Sequence, residues 1–257
     1  MAIHPTAAVE KGAEIDPSCE IGPFAVIGPH VRMGPGNVVG AHAVVTGRTT
    51  LGRENRIFPH AVMGEIPQDL KYRGEPTELV VGDRNAFREF VTVHLGTAGG
   101  GGVTRIASGC LFMANSHVAH DCAVGDGAIV ANSVALAGHV TLEDHVHFGG
   151  LSAAHQFTRI GRLAFVSGMT GVTMDVPPYC MASGSRAELA GLNTVGMQRA
   201  GFTEEQITRT KQAYKIVFRS NLQLAEAIAQ LDAELGTHPE IAHFVAFLRG
   251  SQRGLTR

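Results

Sequence analysis

Four histidines and an aspartate fall within about forty positions of this chain: His117, His120, Asp121, His139 and His155, with Gly138 and Gln156 between and beside them. A neutral imidazole, with an ordinary pKa of about 6.5, removes a hydroxyl proton near neutral pH. Three histidines also suit a zinc ion. Residue type alone leaves both chemistries open. The four cysteines (Cys19, Cys110, Cys122, Cys180) lack CxxC spacing, so free thiols in a reducing compartment are the simplest expectation.

What brings such residues together is a period of six. Apolar side chains recur at Ile3, Val9, Ile15, Ile21, Ile27, Met33, Val39, Val45, Leu51, Ile57 and Met63, and again from Ile106 through Phe112, Val118 and Val124 to Val172. Neither a helix, with period 3.6, nor a strand, with period 2, produces this. Short strands joined by equal corners do, and three strands close one coil of about 18 residues in a parallel β-helix. Residues 18 apart then stack at roughly the strand spacing of about 4.8 Å. His120, Gly138 and Gln156 form one column, and Asp121 and His139 form the next. His117 and His155 lie beside them on an outward-facing corner.

Thirteen histidines make some clustering ordinary. His30, His42, His60, His145 and His147 read as surface residues, and Asp121 reads equally well as a solvated turn residue or a catalytic one. Glycines often follow the apolar position (Gly22, Gly28, Gly40, Gly125), which suggests a turn with unusual backbone angles there. Small residues two places before it (Ala25, Ala43, Ala61) leave room for the large side chain inside a narrow prism.

Two segments interrupt the period. Residues 64–80 lose it, but Val81 restores the phase 18 positions after Met63, as if one coil had been displaced; such excursions carry function disproportionately. Residues 94–105 contain four consecutive glycines and read as a mobile loop. The repeats end near Val172, before the DVPPY stretch at 175–179. Beyond it, Thr203 to Gln206 form a capping box, Gly236 ends a second helix, and Pro239 begins a third. The expected division is a β-helix over 1–185 and a helical domain over 186–257 that covers the prism's open end or flank.

A net charge of −2 and a pI near 6.7 argue against general nucleic-acid binding. No apolar run reaches membrane-spanning length. The expected location is the cytoplasm.

Several stretches go beyond a bare repeat. They are GEIPQDLKYRGEPT (64–77), NSHVAHDC (115–122), LAGHV (136–140), AHQF (154–157), DVPPY and the terminal SQRGLTR. Together they closely resemble the UDP-N-acetylglucosamine O-acyltransferases of lipid A synthesis, over the whole chain. The resemblance implies a left-handed β-helix, a homotrimer with sites between subunits, and no cofactor or metal. It implies transfer of a (3R)-3-hydroxyacyl group from acyl carrier protein to the 3-hydroxyl of UDP-N-acetylglucosamine, the first step of lipid A biosynthesis. In that reading His120 is the general base, Asp121 orients it, and the Gly138 N–H receives the oxyanion. Gln68, Asp69, Lys71, His117, His139, His155 and Gln156 match sugar- and acyl-site residues, and Asn193 and Arg199 match nucleotide contacts. Gly168, with Phe165 and Met169 nearby, matches the acyl-chain pocket. Val195, Ala200 and Arg186 depart from the family pattern. Lys211, Lys215 and Arg219 form a helical stripe that suits an acidic carrier protein, or simply the helix dipole. A zinc-dependent carbonic anhydrase-like enzyme, another hexapeptide acyltransferase and a scaffold without catalysis are the alternatives.

Overall fold

Strands of two residues cannot persist alone, so each must be held by its neighbours above and below. In the computed structural model, which describes residues 2–257, they stack into three sheets of 11, 9 and 8 strands. Together these build a left-handed parallel β-helix followed by a helical domain. The register follows the 18-residue step: Ile3 pairs with Ile21, and Val118 with Leu136 and then Ala154. The apolar ladder fills the prism, with Ile27, Phe87, Phe112 and Phe148 wholly buried. In the first coil of the described residues Ile3 and Val9 are both more than a third exposed.

The small residues sit as expected, with Ala25, Ala43 and Ala61 fully buried at one inner corner. Another corner uses asparagine in the same position. Asn37, Asn55 and Asn85 are buried, and each side-chain oxygen accepts the backbone N–H one coil on: from Asn55 at 2.9 Å, Asn85 at 3.0 Å and Cys110 at 2.8 Å. The glycines after the apolar position serve a purpose other than the expected one. Gly22, Gly28, Gly40 and Gly125 lack positive φ; a side chain there would strike the adjacent coil, as at Gly22, where a Cβ would lie 2.9 Å from the Val39 carbonyl. The left-handed residue comes two places later and is usually not glycine: Phe24, His42, His60, Asp121, His139 and Phe157 all have φ near +60°.

The first excursion also differs from the expectation. Val81 pairs with Leu51, a step of 30 rather than 18, and Met63 pairs with Val93. The segment therefore adds 12 residues within one coil instead of displacing a coil. Twelve is two hexads, so the phase survives. The second excursion adds seven, since Val81 pairs with Ile106, a step of 25. Its glycine run has a defined shape: Thr97 caps a single 3-10 turn over Ala98–Gly100, accepting the Gly100 N–H.

Four helices follow: α1 (Thr194–Arg199), α2 (Glu204–Phe218), α3 (Leu224–Leu235) and α4 (Pro239–Arg249). The capping box at Thr203 and Gln206 is formed, Pro239 opens α4, and Gly236 follows α3. Helix α1, six residues long with Thr194 and Gly196 among them, is not legible in the residue pattern. The domain docks on the last coils through α4: the Arg159 guanidinium lies over Phe247 at 4.3 Å, and His243 meets Glu143 at 2.8 Å. The terminal segment adds Ser251, whose hydroxyl donates to Asp175 at 2.8 Å.

Candidate active site

Stacking of the coils places His120 and Asp121 at the corner between the 9- and 8-stranded sheets, just after the strand His117–Val118. Asp121 Oδ2 lies 2.8 Å from His120 Nδ1. A carboxylate only accepts, so Nδ1 carries the proton and Nε2 is left basic. The Asp121 side chain is 1% exposed and that of His120 15%. The ring of His120 lies across Gly138 one coil on, so closely that a Cβ at Gly138 would sit 2.5 Å from Cε1. Neither His120 Nε2 nor the Gly138 N–H has a protein partner among the described residues. An unpaired base and an unpaired donor thus flank the same space.

His139 crosses His120 edge-on, ring centroids 5.1 Å apart, and stacks on Phe157 at 4.2 Å. Burial lowers its pKa, opposed by the charges of Asp121 and of Asp69 on the first excursion. Gln68 and Lys71 are exposed on the same loop as Asp69. His117 hydrogen-bonds Thr92 through Nδ1 at 2.7 Å, and burial pushes its pKa down to about 4. His155 and Gln156 are exposed on the next coil, and His155 Nδ1 approaches only the Gln156 carbonyl, at 3.1 Å.

Three contributors escaped the sequence reading. His94 is buried with Nδ1 unpartnered, crosses His117 edge-on at 4.9 Å, and has its pKa lowered by burial. Thr97 donates to Asp121 from its N–H at 2.8 Å and from its hydroxyl at 2.6 Å. Thr104 accepts the Asp121 N–H at 2.8 Å. The excursion at 94–105 supplies all three, and only its adjacency to Val93 hinted at a role.

His120, Asp121 and His139 are also close enough to be considered as metal ligands. Asp121 already accepts from Thr97 twice and from His120, which orients both its oxygens inward. That donor set favours proton transfer over a cation.

Asn193 and Arg199 lie elsewhere, in a cavity of about 730 Å³ on the face of the 11-stranded sheet. Asn193 caps α1, accepting Gly196 N–H at 2.9 Å and donating to the Leu163 carbonyl at 2.9 Å. Arg199 lies near His147, whose pKa burial lowers first and the guanidinium second. Val195 and Ala200 line the same space. So does Arg162, whose Nε is buried without a partner. Phe165 belongs to this cavity, apart from Gly168 and Met169, which are exposed at the following corner. The three residues expected at an acyl-chain pocket therefore do not line one cavity within this chain.

Residues 175–256 match the family model described as UDP N-acetylglucosamine O-acyltransferase, domain 2, and residues 12–47 match the bacterial transferase hexapeptide model. The chain is 78% identical, over the full length of both, to a protein of Anaeromyxobacter sp. (strain Fw109-5) named acyl-[acyl-carrier-protein]–UDP-N-acetylglucosamine O-acyltransferase. A protein of the same name from Myxococcus xanthus is 59% identical over 99% of each chain. The crystal structure of the UDP-N-acetylglucosamine O-acyltransferase of Moraxella catarrhalis superposes with a TM-score of 0.98 at 42% identity, covering all of both chains.

Proposed function

The chain belongs to the acyl-[acyl-carrier-protein]–UDP-N-acetylglucosamine O-acyltransferase family, and from that premise we propose that the His120 corner performs the acyl transfer. The enzyme moves a (3R)-3-hydroxyacyl group from acyl carrier protein to the 3-hydroxyl of UDP-N-acetylglucosamine, opening lipid A biosynthesis. His120 Nε2 takes the hydroxyl proton while the sugar oxygen attacks the thioester carbonyl carbon. The carbonyl oxygen gathers negative charge and accepts the Gly138 N–H. Collapse re-forms the carbonyl and breaks the C–S bond, and the imidazolium returns its proton to the leaving thiolate. The products are the 3-O-acyl sugar nucleotide and the carrier protein's free thiol. Asp121 holds the tautomer and the imidazolium; His117 and His139, kept neutral by burial, can hydrogen-bond substrate without adding charge.

The observation carrying this reading is the pairing of a basic Nε2 with an unpartnered Gly138 N–H across one column. Incubating purified protein with 3-hydroxyacyl carrier protein and UDP-N-acetylglucosamine tests it. Wild type should release thiol and form the 3-ester, and His120→Ala should do neither while still binding the nucleotide. Turnover near wild type in that variant overturns the assignment.

We read the chain as the homotrimer that the family resemblance implies, and the separation of two parts of the site within one chain supports an assembly of copies. The His120 corner joins the 9- and 8-stranded sheets, while the Asn193–Arg199 cavity opens on the 11-stranded sheet across the prism. One sugar nucleotide reaches both only if the cavity belongs to an adjacent copy. The same assembly would bring Gly168 and Met169 of one copy to another's site. For the carrier protein we assign the exposed stripe Lys211 and Lys215 on α2 with Arg219 at its C-cap; Arg249 is paired with Asp232, and Arg253 donates to the Thr173 carbonyl. The four cysteines are free and buried, which suits the cytoplasm. No helix among the described residues is long and apolar enough to cross a membrane.

A further inference from the structure

Asp121 belongs to the prism, but what holds it comes from outside the repeat. Its Oδ1 accepts the Thr97 N–H at 2.8 Å, and its Oδ2 accepts the Thr97 hydroxyl at 2.6 Å alongside His120 Nδ1 at 2.8 Å. Thr97 is itself 7% exposed and is anchored in turn, its hydroxyl accepting the Gly100 N–H at 3.2 Å and its carbonyl accepting the Gly100 and Gly102 N–H groups. A chain of hydrogen bonds therefore runs from Gly100 through Thr97 and Asp121 to His120. Beneath it, Gly100 leaves the carboxylate its space: a Cβ there would lie 2.1 to 2.4 Å from all three carboxyl atoms. Gly100 does not have positive φ, so its backbone admits alanine and only the carboxylate forbids it.

We propose that the glycine-rich excursion is a clamp for the catalytic dyad, with Thr97 as a positioning residue that fixes the Asp121 carboxylate and Gly100 as the site that must stay empty for it. This rests on the reading of His120 as the base. A carboxylate free to rotate about χ2 presents its oxygens to His120 in several orientations. With both oxygens occupied by Thr97 it presents one, and the imidazole keeps the tautomer and direction the reaction needs before substrate arrives. The seven residues added to this coil supply the clamp, which an uninterrupted 18-residue coil lacks.

Steady-state kinetics on four variants test this. Thr97→Val keeps the shape and the N–H but removes the hydroxyl. It should lower kcat by about 10- to 100-fold, the range for a hydrogen bond to a charged group, with KM for the sugar nucleotide within about twofold. Thr97→Ser should restore kcat to within about threefold of wild type. Combined with Asp121→Asn, Thr97→Val should cost little beyond Asp121→Asn alone, because both act through one group. Gly100→Ala should mimic Asp121→Asn while nucleotide binding persists, and it also answers the question should Thr97→Val fail to fold.

Wild-type kcat in Thr97→Val or Gly100→Ala overturns the clamp. So do equal losses in Thr97→Val and Thr97→Ser, or losses that multiply with Asp121→Asn, since a residue that merely shapes the turn gives those patterns. His120→Ala run alongside separates the two readings. If it is inactive while Thr97→Val is normal, only the clamp fails; if it is active, the assignment of the base fails.

Discussion

Histidines occupy the same left-handed corner position in two stretches of this prism, with different outcomes. In the N-terminal coils His42 and His60 stand between Phe24 and Phe90, the four rings stacked about 5 Å apart and nearly parallel. In the later coils His139 crosses His120 edge-on beside a buried carboxylate. The backbone is alike in both, since His42, His60, Asp121 and His139 all have φ near +60°. A left-handed corner is therefore a property of this fold and says nothing of catalysis. What differs is chemistry imported from elsewhere: Asp121 tied to Thr97, and a glycine under the imidazole. The first stretch has side chains stacked on one another, and the second has a base with an unpartnered nitrogen.

The comparison breaks most decisively at His120. His120→Ala should lower kcat by about a thousandfold or more, because general-base catalysis and its coupling to the oxyanion donor are lost together. The matched change at His60 should leave turnover unchanged. A comparable loss from both would mean that the two corners are not different in kind, and initial rates of thiol release decide it.

Gly138→Ala comes next, with an expected loss of about a hundredfold in kcat. Its Cβ would lie 2.5 Å from His120 Cε1, so the ring must swing away while the backbone remains compatible with the fold. Unchanged thermal stability with lost turnover is the expected signature. A large stability loss would instead mark Gly138 as a packing glycine like Gly22.

A smaller effect is expected at the cavity across the prism. Arg162 has a buried, unpartnered Nε in the space shared with Arg199. Ala200, which the resemblance places where the family has a second arginine, lines the same space, and Arg162 is the further cation there. Arg162→Met should raise KM for the sugar nucleotide by about tenfold with kcat little changed, the pattern of lost uniform binding. A drop in kcat at constant KM would move Arg162 out of the binding role.

Much of this was legible in the sequence because the period is geometric. Residues 18 apart must stack, so His120 over Gly138, and Asp121 beside His139, follow from counting. The departures all come where counting stops. Twelve residues inserted after Met63 keep the hexad phase, so Val81 looked like the partner of Met63 although it pairs with Leu51. The glycine run read as mobile because flexibility is what such composition offers locally, yet Asp121, 24 positions on, fixes Thr97. His94, Thr97, Thr104 and Arg162 gain their partners or their isolation only through contacts distant in sequence. The glycines after the apolar position stand out in the sequence, but their cause lies in the packing: close approach of coils, not backbone angle, excludes a side chain there.

The smallest effect tests the stacked corner itself. His60→Asn removes a ring that lies 5.1 Å from His42 and 5.0 Å from Phe90, while asparagine still tolerates the left-handed backbone better than alanine. Each aromatic contact is worth about 0.5–1.5 kcal/mol, and exposure at this corner places the pair near the lower end. The midpoint of thermal unfolding should fall by a few degrees for a loss of about 1 kcal/mol in a chain of this size, with kcat and KM both retained. A stability loss several times larger would mean the stacked rings are buried in the assembled protein, and would place this edge against another copy instead of in water.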